Sequence, residues 1–173
     1  MDDLITLPEL SLPDGTDVQA LGYLLANHPS CIWERSDTTT RTGARISNLA
    51  KDIDPTIGTF ITALKEKIES YISTKQPDPG HPFTAHIPES WDYSIWATIL
   101  DQDGHQDPHL HPAAWVSGVY YLEVPEAITD PTNEAQSGWI EFSAPGYGIT
   151  PVHPPIVRRI SIAFHVIPTK WRK

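Results

Sequence analysis

Three of the eight histidines in this 173-residue chain stand together in the segment 104–112. Residues two apart in an extended backbone project to the same side, so His109 and His111 can aim two imidazoles at one point. His105 and Asp107 form a second pair with the same spacing and the same potential as ligands. Imidazole nitrogen suits Fe(II), zinc, nickel and copper, and these residue types alone do not choose among them. The alternative is a set of ordinary surface histidines in a loop.

A second polar pattern lies near the C-terminus, where the residues of segment 159–166 alternate in character. One side of this predicted strand carries Arg159, Ser161, Ala163 and His165, and the other carries Ile160, Ile162, Phe164 and Val166. The apolar side is predicted to face the core. The polar side either faces solvent or lines the interior of a roll, where Arg and Ser can hold a carboxylate. The sequence leaves both interpretations open.

Helices are predicted only in the first half of the chain. Segment 17–27 places apolar residues at helical spacing, and segment 36–48 is predicted to be a loop or an edge hairpin. Asp54 and Pro55 suit the start of a longer helix, whose apolar stripe consists of Ile57, Phe60, Ile61, Leu64, Ile68, Tyr71 and Ile72. The proline-rich segment 76–82 ends this helical part.

The second half of the chain is predicted to be mostly β. Strands are expected at 94–100, 114–124, 139–142 and 159–166, which are rich in β-branched and aromatic residues. Turn residues separate them at 101–104, 130–133 and 144–148, without helical segments for parallel crossovers. The prediction is an antiparallel roll or sandwich with helices in front, forming one domain over 1–173 with a helical portion at 1–82 and a β portion at 83–173.

The composition of the chain limits which binding partners and which cellular compartment we expect. The net charge of −10 comes with no basic stripe, which does not favour nucleic acid or anionic membrane as a partner. Cys31 is the only cysteine, so an internal disulfide framework and a thiolate zinc cluster are excluded, and a metal must use nitrogen and oxygen ligands. No apolar run has the length of a signal peptide or a membrane span. These features predict a soluble, cytoplasmic protein.

Five parts of the chain together carry a family resemblance. They are TRTG at 40–43 with NL at 48–49, SIWA at 94–97, GHQDPHLHP at 104–112, WVSGVYYL at 115–122 and RISIAF at 159–164. This set resembles a bacterial family of 2-oxoglutarate/Fe(II)-dependent oxygenases. The resemblance implies an α+β, mainly β fold with a double-stranded β-helix, or jelly-roll, core preceded by N-terminal helices. It also implies Fe(II) and 2-oxoglutarate as cofactors, with hydroxylation coupled to decarboxylation of 2-oxoglutarate to succinate.

The resemblance also implies roles for individual residues. His109 corresponds to the first iron ligand, and His111 occupies the second-ligand place, where most of the superfamily has Asp. Arg159 and Ser161 match the Arg-x-Ser pair that holds the distal carboxylate of 2-oxoglutarate. Tyr121 is a candidate for a hydrogen bond to the cosubstrate, with plain sheet packing as its alternative. The substrate, a small molecule or a protein, is not identified by any of these motifs.

The chain departs from the family pattern just before Arg159. Family members carry there a further strand ending in a third iron-binding His, whereas the segment 154–158 runs directly into Arg159. His153 is the candidate for the third ligand, although its place among prolines close to Arg159 also suits a loop histidine. His165 is the less favoured candidate, because it follows Arg159 where the family has no ligand. The loss of a strand also predicts an exposed sheet edge that can pair with another copy of the chain.

Two alternatives to an active oxygenase follow from this departure. The first is a catalytically degenerate metal-binding or ligand-binding β-roll protein. The second is a cupin-like metalloenzyme that uses His109, His111 and a third ligand such as His153 without 2-oxoglutarate.

Overall fold

The computed structural model describes residues 10–130 except 11, 14, 35, 37 and 82, then residues 132, 138 and 140, and finally residues 159–171. The side chains of Ala127, Arg159 and Ile160 are not part of this description. His153, the predicted turn at 144–148 and all but Ile140 of the predicted strand at 139–142 lie outside the described residues.

Two amphipathic helices form where the apolar periodicity predicts them. Helix α1 spans Val18–Ala26, and the Asp17 side chain caps it by accepting a hydrogen bond from the Ala20 backbone N–H at 2.9 Å. Helix α2 spans Pro55–Ser73, and Asp54 accepts from the backbone N–H groups of Thr56 and Ile57. Its buried face consists of Ile57, Phe60, Ile61, Ala63, Leu64, Ile68 and Ile72. Both predicted helices are therefore confirmed, and α2 begins with the Asp54 cap expected from the sequence.

The described strands form one five-stranded antiparallel sheet with the order β1-β2-β3-β5-β4. The strands are β1 Ile32–Trp33, β2 Thr40–Ile46, β3 Pro88–Gln106, β4 Val116–Glu123 and β5 Arg159–Trp171. A 3-10 turn at Leu49–Lys51 and a short helix α3 at Glu126–Thr129 complete the described elements. Segment 36–48, predicted to be a loop or an edge hairpin, contains β2, which pairs with the edge strand β1 outside that segment, so the portion 1–82 contributes two strands to the sheet. The mainly β class with helices in front is also confirmed.

The predicted turn at 101–104 was wrong, because β3 continues through it. The pairing of β2 with β3 shifts register between Arg41 and Gly43, and both Thr42 and Asp103 adopt positive φ angles of 46° and 64°. A Cβ on Gly104 would lie 2.5 Å from the Thr42 carbonyl oxygen, so only glycine fits beside this bulge. The turn residues therefore bend a continuous strand rather than end it.

The two faces of the sheet differ sharply in character. The core face packs with α1 and α2 in one apolar cluster, to which the sheet contributes Ala44, Ile46, Ile95, Ala97, Ile99, Ile162 and Val166. Across it, the ring centres of Phe60 and Tyr120 lie 5.1 Å apart. The opposite face, which we call the polar face, carries Arg45, Trp96, Thr98, Ser161 and His165. None of the described helices is both long and apolar enough to cross a membrane.

Candidate functional site

The sheet topology brings the segment 107–115 across the polar face. Strands β3 and β4 lie on either side of β5, and both run antiparallel to it. Near its C-terminal end β3 pairs with Arg159, whereas β4 begins opposite Val166. The connection must therefore return along β5 from position 159 to position 166, a path of about 23 Å at roughly 3.3 Å per residue. This connection, residues 107–115, carries His109 and His111, and we call it the crossing segment.

Backbone hydrogen bonds hold both ends of the crossing segment. The Asp107 N–H donates to the Thr39 carbonyl at 2.9 Å, and the Trp115 N–H donates to the Val166 carbonyl at 2.9 Å. The Trp115 indole stacks on the Phe83 ring, with ring centres 4.7 Å apart, and its Nε1 donates to the Phe83 carbonyl. The segment is therefore anchored next to the start of β2 at one end and to β5 at the other.

Three histidines meet on the polar face, and we call them the histidine cluster: His109, His111 and His165. The ring centres of His109 and His111 lie 4.6 Å apart, and those of His111 and His165 lie 4.2 Å apart. Trp96 backs the cluster, because its ring centre lies 4.5 Å from that of His165 and 6.2 Å from that of His111. The paired imidazoles predicted from the His-x-His spacing are therefore brought together, with a third added by β5.

The hydrogen bonds of the cluster determine which ring nitrogens keep a free lone pair for a metal ion. His109 Nδ1 lies 2.6 Å from the Asp107 carbonyl oxygen. When Nδ1 carries the proton and donates to that carbonyl, Nε2 is left with a free lone pair. His165 Nε2 is buried and has no hydrogen-bond partner among the described residues. A buried nitrogen without a hydrogen-bond partner lowers the stability of a fold unless a bound ligand or ion supplies the missing partner.

The cluster lies in an environment that disfavours protonation. Burial, followed by the charges of His111, Arg45 and His109, lowers the pKa of His165 to about 4. Burial and the charges of His109 and Arg45 also lower the pKa of His111. The Arg45 guanidinium lies 4.6 Å from the centre of the Trp96 ring, behind the cluster. Near neutral pH His111 and His165 are therefore uncharged, which is the form of imidazole that binds metals.

In the second predicted pair, His105 and Asp107, the aspartate already forms an ion pair with a residue of β2. The Asp107 carboxylate pairs with the Arg41 guanidinium at 2.6 Å and lies 3.5 Å from His105 Nε2. This ion pair ties the start of the crossing segment to β2. Within the described part of the chain, no three His, Cys, Asp or Glu side chains are already arranged to hold a metal ion. The histidine cluster thus supplies the donor atoms without the finished ligand geometry.

The residues predicted to hold the cosubstrate lie nearer the start of β5 than His165 does. Ser161 pairs with Tyr121 of β4 on one side and with Thr98 of β3 on the other. Ser161 is only 5% exposed, which excludes the solvent-facing interpretation for this residue. Its hydroxyl lies 3.5 Å from the Thr98 carbonyl oxygen, at the limit of a hydrogen bond. The Arg159 backbone pairs with Leu100, while its side chain, like the whole of His153, lies outside the described residues.

Three further polar atoms are buried without a described partner: Thr40 Oγ1, Trp96 Nε1 and Thr98 Oγ1. Trp96 is 5% exposed and Thr98 is 1% exposed, so solvent does not reach them freely in this fold. Trp96 and Thr98 belong to the polar face between the histidine cluster and Ser161. Such atoms are rare in folded proteins and are typical of sites that bind a ligand or water.

The sequence pattern predicted neither the contact of His165 with His111 nor a place for Trp96 and Arg45 near the cluster. The alternation of β5 correctly placed His165 on the side of Ser161. The missing information was the strand order, because only the crossing of 107–115 over β5 brings His111 onto His165. A signal was present in the sequence, since His165 is a polar residue inside an apolar strand on the face already chosen for the site.

Comparison with known proteins identifies one family. The model of the family described as "Putative 2OG-Fe(II) oxygenase" matches residues 94–154, about a third of the chain. No curated protein and no solved structure matches the chain. The matched segment contains most of β3, the crossing segment and β4, and it ends before β5. Residues 94–154, with His109, His111 and Tyr121, thus carry the sequence pattern of the 2OG-Fe(II) oxygenase family, which confirms the predicted resemblance over this segment.

Proposed function

We propose that the protein is an Fe(II)- and 2-oxoglutarate-dependent oxygenase. The observation that carries the proposal is the meeting of His109 and His111, with ring centres 4.6 Å apart, on the polar face inside the segment that matches the oxygenase family. Two histidines and a carboxylate with open positions are typical of non-haem Fe(II) oxygenases, and His109 and His111 supply the histidine part of such a site. The substrate that is hydroxylated stays unassigned, because neither the family pattern nor the polar face identifies it.

The described residues fit a metal ion in their donor atoms. His165 Nε2 is a buried nitrogen without a described partner, and the carbonyl at His109 Nδ1 can keep Nε2 of that ring available. Asp107 is paired with Arg41, so the carboxylate next to the cluster in sequence is already engaged. When bound, Fe(II) and 2-oxoglutarate would supply the oxidising chemistry, coupled to release of succinate and carbon dioxide.

The polar face supplies groups for the cosubstrate. We assign Arg159 and Ser161 to the distal carboxylate of 2-oxoglutarate, through a guanidinium pair and a hydroxyl hydrogen bond. Tyr121 lies opposite Ser161 in the sheet register, which supports its role as a further hydrogen-bond donor. The buried Trp96 excludes water from the back of the cluster. The chain thereby orients the cosubstrate between its last two strands and the crossing segment.

We further propose that the described sheet is one half of a double-stranded β-helix. All of its neighbouring strands are antiparallel, as that fold requires.

In the described part of the chain β1 and β4 lie at the sheet edges, and a missing core strand would leave such an edge open to a second copy of the chain. Analytical ultracentrifugation tests this: a monomer at all concentrations would contradict the pairing.

A catalytically degenerate binding protein is the second candidate. It is favoured by one observation, namely that no three ligands among the described residues are arranged around a single point. Such a protein would bind Fe(II), or Fe(II) with 2-oxoglutarate, without turnover. The cupin-like alternative predicts metal binding that is independent of 2-oxoglutarate and of Arg159.

One experiment separates these candidates. The purified protein is titrated anaerobically with Fe(II) and then 2-oxoglutarate by calorimetry, and succinate is measured after oxygen is admitted. We expect one Fe(II) per chain, binding of 2-oxoglutarate that Arg159→Ala weakens, and slow succinate release even without substrate. Binding of both ligands without succinate would support the degenerate protein. Absence of Fe(II) binding would refute the proposed oxygenase.

A further inference from the structure

We propose that His165 is the third metal ligand, completing with His109 and His111 a site whose third histidine comes from β5, after Arg159, where the family pattern has no ligand. This inference rests on the proposed function, since it concerns the same metal. It assigns the missing ligand to the last strand of the sheet instead of to the segment that precedes Arg159. It also replaces His153, the third ligand predicted from sequence.

Ring separations in the cluster support this assignment. Two imidazoles whose nitrogens bind one ion at about 2.1 Å have ring centres roughly 4.5–5 Å apart. The observed values of 4.6 Å for His109 with His111 and 4.2 Å for His111 with His165 lie close to that range. The rings are tilted or perpendicular to one another, at 89° and 60°, rather than stacked face to face. The three side chains are not arranged around one point in the described structure, so a shared ion requires the exposed His109 ring to turn towards His165.

Available lone pairs give a second, independent argument. His165 Nε2 is buried and has no described partner, although a buried ring nitrogen normally has one. Trp96 fixes the His165 ring by an edge contact with centres 4.5 Å apart, which limits its rotation. His109 is held in turn by the Asp107 carbonyl at 2.6 Å from Nδ1. Ligand rings oriented by such outer contacts are a general feature of metal sites.

The backbone explains why His165 can replace a ligand from another strand. His165 lies in the regular part of β5, paired with Ser94 on one side and with Ser117 on the other. Position 165 is therefore fixed by hydrogen bonds to two neighbouring strands. The crossing segment is itself bonded to β5 at Val166, the residue next to His165. The position of the third imidazole is thus set by the sheet, and the crossing segment is held next to it.

The test compares single variants of the full-length chain. We expect His165→Ala to weaken anaerobic Fe(II) binding by more than about 100-fold, beyond the 10-fold to 100-fold loss typical of outer contacts. His86→Ala is the matched control, because His86 is an exposed histidine for which no contact with the cluster is found, and it should bind as the wild type does. Unchanged affinity in His165→Ala would overturn the inference.

Misfolding is separated from ligand loss by two further measurements. His165→Gln keeps a buried polar side chain of similar size, and its circular dichroism spectrum and thermal unfolding should match those of the wild type while metal affinity falls. X-ray absorption of the Co(II)-loaded protein should count three imidazoles in the wild type and in His153→Ala, a count that needs no His165 variant to fold. Two imidazoles in His153→Ala would overturn the inference.

The outcomes distinguish this inference from the proposed function. Loss of metal in His153→Ala with normal binding in His165→Ala would overturn the role of His165 and leave the oxygenase proposal intact. A wild-type protein that binds neither Fe(II) nor Co(II) would refute both. Metal bound through three imidazoles in His153→Ala, without succinate release by the wild type, would support His165 and refute the oxygenase.

Discussion

The two faces of strand β5 show how one strand can serve stability on one side and chemistry on the other. On the core face, Ile162 and Val166 are buried in the cluster formed with α1 and α2. On the polar face, His165 Nε2 is buried without a described partner, as is Thr98 Oγ1 on the neighbouring strand. Apolar burial stabilises a fold, whereas unpaired buried polar atoms cost stability. The polar face therefore has the character of a binding site and the core face that of a scaffold.

The largest effect is expected from a cavity in the core face. Phe60 of α2 is completely buried and packs against Tyr120. Phe60→Ala should lower the free energy of unfolding by about 3–5 kcal/mol, because it removes apolar burial and leaves a cavity. Urea denaturation measures this, with the exposed Glu66→Ala on the same helix as a control expected within about 0.5 kcal/mol. A loss below 1 kcal/mol would contradict the assignment of this face as the main core.

A smaller loss is expected from overpacking between β4 and β5. Gly118 lies directly opposite Phe164, and a Cβ on Gly118 would lie 2.3 Å from the Phe164 ring. Gly118→Ala should therefore destabilise the protein by about 1–3 kcal/mol, since the ring must move out of a packed position. In the double variant Gly118→Ala with Phe164→Leu, the smaller side chain should remove part of the Gly118→Ala penalty. Additive losses would show that the two positions do not contact each other.

The polar face should respond in the opposite direction. Thr98→Val replaces a buried hydroxyl that has no described partner by a methyl group of similar shape. Stability of the metal-free protein should stay the same or rise by about 1 kcal/mol, because an unpaired polar group is removed. Chemical denaturation checks this, and a fall of more than 1 kcal/mol would show that the hydroxyl has a partner in solution. The result sharpens the contrast between the faces.

The smallest expected effects are changes of stability with pH, because the titrating groups are only half-buried. The pKa of His165 is lowered to about 4 mainly by burial, so the unfolded chain takes up a proton first as the pH falls. Stability of the metal-free protein should therefore fall between about pH 6.5 and pH 4. His165→Gln should flatten this part of the stability profile. A profile identical to that of the wild type would contradict the assigned environment of His165.

The core side should lose stability at the opposite end of the pH range. Burial, together with its bond to Glu69 of α2, raises the pKa of Tyr93 to about 12. The unfolded chain loses this proton first, so stability should fall between about pH 10 and pH 12. Tyr93→Phe should reduce that loss in thermal unfolding monitored by circular dichroism. An unchanged alkaline profile would show that another group controls it.

The local elements of this fold are largely predictable from the sequence. Asp54 and Pro55 start α2 because a capping carboxylate and a fixed φ act within a few residues. The prediction of a turn at 101–104 was wrong because a neighbouring strand can accept the same residues as a bulge beside Gly104. Local signals thus identified both helices, did not indicate β1, and misjudged where β3 ends.

The candidate site, like the fold, was only partly predictable from the sequence. The sequence by itself determined the paired imidazoles of His109 and His111 and the alternation that puts Ser161 and His165 on one side of β5, because both depend on spacing within a few residues. Only the tertiary structure decided that the segment 107–115 crosses β5 and brings His111 to His165. That contact depends on strand order, which is set by the packing of the whole sheet and not by any local pattern.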